Sequence, residues 1–308
     1  METYSLSPFH YDTETDFEIV INKKPKDIEL KGNEVSIIKA LGKYKVLNKR
    51  CIISCIRRMQ PDNRHKDSYD DEINLLFKGG YIVKYQYPGR SSGRSNTVLY
   101  ALSAKGLIYA KEKKIRVTLK SQDSTTTPIL TTATALEIMT LNSWHTRVLE
   151  CYGMQILTEL YDSSARVAGD KNCIIPSCIT MKTEVGCLFN EVTVLAIAFE
   201  KENTLRSEGA FLNKLLAVNS FLRKNNRAYK YAFIVVLVES FIEMERASVK
   251  IQSYAPLKRL QVYYAIDEYV NELSPLKWLY DVQNDAETGT TKYTMINLLQ
   301  KRERDETV

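Results

Sequence analysis

The stretch YAFIVVLVE (231–239) is apolar from Tyr231 to Val238 with no polar residue between. A strand with one wet face alternates apolar and polar residues, because successive side chains point to opposite faces. A strand that is apolar throughout has to be covered on both faces. A second run, VTVLAIAF (192–199), has the same character, and the helix-like pattern EGAFLNKLLAVNSFLRKN (208–225) separates the two. Before them come a helical stretch, TALEIMTLNSWHTRVLECYG (134–153), and a strand pattern, NCIIPSCITM (172–181). The order helix, strands, helix, strand predicts an α/β domain with both sheet faces covered. Further on, SVKIQSY (248–254) and QVYYAID (261–267) read as strands, and a helix is expected around EYVNELSPLKWLYDV (268–282).

The N-terminal part has a different rhythm. DFEIVI (16–21) is a short strand pattern in an otherwise acidic arm over 1–29. GNEVSIIKALGKYKVL (32–47) has a helical apolar period through Val35, Ile37, Ile38 and Leu41. NKRCIISCIRRM (48–59) is a second helix with Asn48 as its N-cap. After the turn-forming QPDNRHKD, SYDDEINLLFKGG (68–80) predicts a third helix, capped by Ser68 and stopped by Gly79 and Gly80. YIVKYQYP and NTVLYALS are strands joined by GRSSGRS, a hairpin signal with a basic tip, and AKGLIYAKEKK closes the unit as a helix. Three helices followed by a two-stranded wing is the order of a winged helix-turn-helix domain, assigned to residues 30–116. A Ser/Thr-rich linker over 117–135 then leads to the α/β domain, 136–308.

Charge follows the same division. The chain carries a formal +6, yet Lys and Arg outnumber acids more than two to one over 30–116, so the remainder is acidic. Such lopsidedness points to an anionic partner for the first domain. Lys43, Lys45, Lys49 and Arg50 flank the turn between the first two helices. Arg64, His65 and Lys66, with Ser68 and Tyr69, lead into the third helix; Arg90, Ser91, Ser92, Arg94 and Ser95 form the wing tip. Cations at these places neutralise phosphates and release counterions, the main source of sequence-independent affinity for DNA. Asp70, Asp71 and Glu72 oppose this at the start of the third helix, although an acid there can accept from cytosine. A protein-binding winged helix with a solvated basic face fits the same pattern.

In the second domain, FEKENTLRSEGAFLNKLLAV (199–218) carries an acid-x-acid strand end, Glu200 and Glu202, and Lys214 on the following helix. Alternation puts the two acids on one strand face and Lys201 on the other. With the winged helix before it, this stretch resembles the replication-relaxation family of plasmids and integrative conjugative elements, over residues about 30–255. The resemblance implies a restriction-endonuclease-like second domain, in which carboxylates on neighbouring strands hold Mg²⁺ and a lysine offsets developing charge. Where that family tends to have a Pro-Asp turn, this chain reads IIPSCIT, with Ser177 after Pro176. Asp170, Glu184 and Glu191 are nearby acids, none of them in that turn. The resemblance therefore implies a degenerate site and no cofactor, with Mg²⁺ only if Glu200, Glu202 and Lys214 cleave DNA. An ordinary solvated strand end and helix face would carry the same residues.

The six cysteines form no C-x-x-C pair; Cys173, Cys178 and Cys187 are expected to be core thiols rather than zinc ligands. Phosphate-cradling glycine loops, H-E-x-x-H and G-x-S-x-G do not occur, and three histidines are too few for a relaxase-type metal cluster. METYSLSPFHYDTETD does not read as a signal peptide, and the longest apolar run is interrupted by Glu239, so a cytoplasmic protein with no membrane partner is expected. The combined reading is a non-catalytic double-stranded DNA-binding accessory factor for replication or conjugative transfer of a mobile element. It would work with a relaxase or replication initiator, or as a homodimer. A metal-dependent nuclease and a winged-helix transcriptional regulator are the alternatives.

Overall fold

The end of the first helix decides how the N-terminal unit is built. The computed structural model describes residues 17–60, 68–86, 98–118, 126–166, 172–199, 209–229, 231–238, 240–257, 260–266, 274–284 and 290–300. Among them, α1 (Gly32–Tyr44) buries Ile37, Ile38, Leu41 and Tyr44 at helical spacing. The sequence pattern carried this helix to Leu47. It stops at Tyr44 because Lys45 takes a positive φ of 65° and β2 (Val46–Asn48) follows at once. β2 pairs antiparallel with β4 (Val98–Leu102), whose other neighbour is β3 (Ile82–Gln86). A three-residue strand has no periodicity of its own to read, so sheet pairing overrides the local helical pattern.

A helix leaves its last four carbonyls without intrahelical donors. In α1 all four are satisfied. Lys45 N–H donates to Leu41 O at 2.9 Å. Thr118 serves Gly42 O through its N–H at 2.9 Å and Lys43 O through its hydroxyl at 2.8 Å. The Asn142 side-chain amide donates to Tyr44 O at 2.9 Å and also to Val46 O. Asn142 has 0% exposure and sits on α5 (Thr132–Tyr152), so both bonds are dry.

The remaining elements follow their local signals. Asn48 caps α2 (Lys49–Met59) by accepting from Cys51 N–H at 2.9 Å, and Cys51, Ile52, Cys55 and Ile56 face inward. α3 (Asp70–Lys78) begins one residue later than a Ser68 cap requires: Tyr69 occupies the cap position, and Ser68 Oγ instead accepts from Asp70 N–H. Gly80, at φ 74°, ends α3 and lies where a Cβ would come within 2.8 Å of Pro25. β1 (Glu18–Val20) adds to the free side of β3, giving the sheet order β1-β3-β4-β2. α4 (Ala104–Glu112) is capped by Ser103, which accepts from Gly106 N–H. The Ser/Thr-rich stretch is tied to this unit at its described end, where Thr127 accepts from Ala104 N–H and Leu130 N–H donates to the Tyr85 hydroxyl. The two compact units of the chain divide within α5, between Thr146 and Arg147, so 136–146 belong with the first.

The second unit is a seven-stranded sheet in the order β11-β10-β9-β8-β7-β6-β5. β5 (Ile156–Arg166), β6 (Asn172–Lys182) and β7 (Glu191–Ala198) form an antiparallel meander. α6 (Ala210–Lys224) then leads to β8 (Ala232–Val238), which runs parallel to β7. α7 (Phe241–Ser253) leads to β9 (Tyr263–Ile266), parallel to β8, and β10 (Leu279–Asn284) and β11 (Thr291–Ile296) close the sheet antiparallel. Leu195, Ile197, Ile234, Val236 and Val238 pack with Phe211, Leu215 and Val218 of α6 and Met244 and Ile251 of α7. On the opposite face Ala196, Val235 and Leu237 are also no more than 2% exposed. The chain is thus α/β, and the unalternating runs are strands buried on both faces.

Two sequence expectations are corrected here. SVKIQSY is helical: the longer window from Phe241 buries Met244, Ala247, Ser248 and Ile251 at i, i+3, i+4 and i+7, and Ser240 caps it by accepting from Glu243 N–H. That period outweighs the short Val249-x-Ile251 alternation. The end of EYVNELSPLKWLYDV is a strand, since Leu279–Val282 pair with β11. No helix among the described residues is long and apolar enough to cross a membrane.

Replacing Asn142 by Ala would leave two buried carbonyls without their donor. The expected loss is about 2–6 kcal/mol, at about 1–3 kcal/mol for each unsatisfied buried group. Urea denaturation followed by circular dichroism checks this; an unchanged transition would mean that the α1–β2 turn holds without Asn142.

Candidate nucleic-acid interface

α2 is the most cationic helix of the first unit. KRCIISCIRRM contains Lys49, Arg50, Arg57 and Arg58 and no acid. At about 100° per residue, Arg50, Ser54, Arg57 and Arg58 fall within roughly one third of the helix circumference, opposite the buried Cys51, Ile52, Cys55 and Ile56. Arg58 is exposed and Arg50 and Arg57 are half-buried. Sequence reasoning named Lys49 and Arg50 and passed over Arg57 and Arg58. The signal in the sequence is amphipathicity: with the helix running to Met59, the four residues share a stripe opposite its apolar face.

The chain before α2 supplies Lys43 and Lys45. Lys43, on the last turn of α1, places Nζ 4.9 Å from the Tyr44 ring centroid. Lys45 is half-buried at the α1–β2 turn. These two with Lys49 and Arg50 are four of the sequence-predicted contacts, held within one helix–turn–helix segment.

The acids of α3 are turned to internal work. Asp70, Asp71 and Glu72 occupy its first turn, where negative charge complements the helix dipole. Asp70 Oδ2 lies 2.6 Å from Lys49 Nζ and accepts from Ser68 Oγ at 2.6 Å. The hydrogen bond from Lys49, then that from Ser68, holds the Asp70 carboxyl below its ordinary range. Glu72 is 9% exposed and accepts from Asn33 Nδ2 at 3.1 Å. Tyr69, expected to touch DNA, is instead a core residue with 0% exposure, because the α3 N-terminus turns its ring inward. Ser68 remains half-buried beside Asp70. Arg64, His65 and Lys66, and the wing-tip Arg90, Ser91, Ser92, Arg94 and Ser95, lie outside the described residues.

In the second unit, Glu200 and Glu202 also lie outside the described residues, and Lys214 is half-buried on the second turn of α6. Ser177 has 0% exposure and pairs with Tyr161 on one side and Ala196 on the other. Glu191 begins β7 opposite Lys182, and Glu184 lies in the turn before it. At about 3.3 Å per residue, the start of β7 is more than about 20 Å from its Ala198 end. Asp170, the third acid near that turn in sequence, lies outside the described residues. No group of three His, Cys, Asp or Glu suited to a metal occurs among the described residues. Cys178 is buried in the sheet core, and burial pushes its thiol up to about 12, which makes it an unreactive core residue.

Compared with protein-family models, curated proteins and solved structures, the chain matches none.

The Lys49–Asp70 pair gives a pH test. Lys49 and Asp70 side chains are 44% and 54% exposed, so the pair is screened and worth at most about 1 kcal/mol. Because the folded-state pKa of Asp70 is lowered, its contribution is present above the unfolded carboxylate value and fades as pH falls through the folded one. Asp70→Asn is expected to be less stable than wild type at pH 7 by up to about 1 kcal/mol, with the difference closing below about pH 4. Denaturation midpoints at the two pH values measure it; a gap that persists at low pH would assign Asp70 another role.

Proposed function

We propose that this chain is a non-catalytic, duplex-DNA-binding accessory protein. Its first unit reads as a winged helix-turn-helix module, and its second as a restriction-endonuclease-like unit without a working metal site. One observation carries the reading. The order α1-β2-α2-α3-β3-β4, with β4 paired between β2 and β3, brings Lys43, Lys45 and the four cations of α2 into one continuous segment. Such a concentration of cations suits the phosphate backbone, which dominates affinity for DNA.

The second unit supports its part of the proposal by topology. The succession α5-β5-β6-β7-α6-β8, an antiparallel meander followed by a helix and a parallel strand, accords with the nuclease-like fold that the FEKENTLRSEGAFLNKLLAV resemblance implies. Buried Ser177 facing Ala196 favours loss of the metal site over cleavage. In this reading the unit is a platform for a second contact: DNA, another copy of the chain, or a relaxase or replication initiator. The role in mobile-element replication or transfer rests on that resemblance.

Protein titrated onto supercoiled plasmid with Mg²⁺ or Mn²⁺ tests both halves. A mobility shift that vanishes on deproteinisation, leaving the plasmid supercoiled, is the expected result. Nicked or linear plasmid that persists, and is lost in Glu200→Ala, would establish a nuclease instead. Combined Arg90→Ala and Arg94→Ala is expected to weaken binding uniformly across duplex sequences. It should also reduce the slope of log affinity against log salt by about 1–2, at about 0.9 per phosphate contact. Unchanged binding at every salt concentration would remove the wing tip from the interface.

A further inference from the structure

Lys45 occupies a backbone conformation that costs a lysine and would cost glycine nothing. Its φ of 65° and ψ of −56° are those of the rare, strained γ-turn. Glycine reaches positive φ without penalty, because the steric conflict comes from Cβ. Among the described residues two other non-glycine positions have positive φ, Lys114 at 54° and Asp162 at 46°. Lys114 lies just past the end of α4, where left-handed residues commonly terminate helices. Lys45 is different in that the strain is clamped from outside. The carbonyls on either side of it, Tyr44 O and Val46 O, both accept from the buried Asn142 amide, and its own N–H is held by Leu41 O. Strained residues persist where their surroundings over-determine them, and they concentrate at functional positions.

We infer that Lys45, held by Asn142 in a strained turn four residues before α2, is a phosphate-contacting residue. The inference rests on the duplex-DNA reading above and adds to it a division of roles. Asn142 positions; Lys45 contacts; Lys43, Lys49 and Arg50 extend the charge along the chain. Lysine suits this place because a flexible stem carrying a compact charge can meet a phosphate from a backbone that cannot move.

The experiment compares Lys45→Gly, Lys45→Ala and Lys45→Arg in the full chain. Binding to a fluorescently labelled duplex of random sequence is read by anisotropy at several salt concentrations, and thermal stability is read in parallel. Lys45→Gly is expected to melt higher than wild type yet bind several-fold more weakly, with the salt slope reduced by about 0.9 for the lost phosphate contact. Lys45→Ala should bind as weakly without melting higher, and Lys45→Arg should retain wild-type affinity and slope. A purely structural role for Lys45 moves the melting temperature alone. Wild-type affinity and salt slope in both Lys45→Gly and Lys45→Ala would overturn the inference while leaving DNA binding standing. A wild-type chain that binds no duplex at any salt would overturn the DNA reading and this inference with it.

Discussion

The N-terminal unit depends on how the carbonyls at the end of α1 and the start of β2 find donors. A helix can end at the surface and let water satisfy its C-terminus; this one ends inside, with Tyr44 and Val46 buried. The donors therefore come from far along the chain, Thr118 and Asn142, reaching Gly42, Lys43, Tyr44 and Val46. Those bonds fix where the helix stops and where β2 starts, and hence the register in which β2 meets β4. They also place Asn48 where it caps α2. These constraints set where α2 begins, and its own buried face, Cys51, Ile52, Cys55 and Ile56, turns the cationic stripe outward.

Charge in this unit is sorted between helices. α2 holds cations on its outer face, whereas the acids of α3 serve its own N-terminus, Lys49 and Asn33. A helix whose first turn is acidic is poorly suited to approach a phosphate, so the cations of α2 and the turn before it are the better polyanion surface. The second unit shows the opposite economy. Its sheet is buried on both faces, and Ser177 within it is fully buried beside Ala196. A small neutral group there avoids the desolvation cost that a buried charge would carry.

Much of this was legible in the sequence, for identifiable reasons. Long apolar runs and helical periods are dense signals, so α2, α5, α6, β7 and β8 were readable, as were the Asn48 cap and the Gly79–Gly80 stop. SVKIQSY and LYDV were misread because four to seven residues can satisfy both periods, and only packing against α7's neighbours or β11 decides. Lys43, Lys45, Lys49 and Arg50 were legible as charge next to a turn. Tyr69 was not, since an aromatic residue at a helix start can turn either way. The stripe of Arg57 and Arg58 follows from the helical pattern over 48–59, in which the apolar face is the stronger signal.

By itself the sequence determined the α/β class, the break between a basic first part and an acidic second part, and the strands that must be buried on both faces. These follow from composition and period, which are local and additive along the chain. Tertiary structure alone decided that α1 ends at Tyr44, that Lys45 is strained, that Asn142 holds it there, and that Ser177 is sealed inside the sheet. Each of these depends on a partner distant in the sequence, and a buried polar group or a strained turn exists only when that partner is in place.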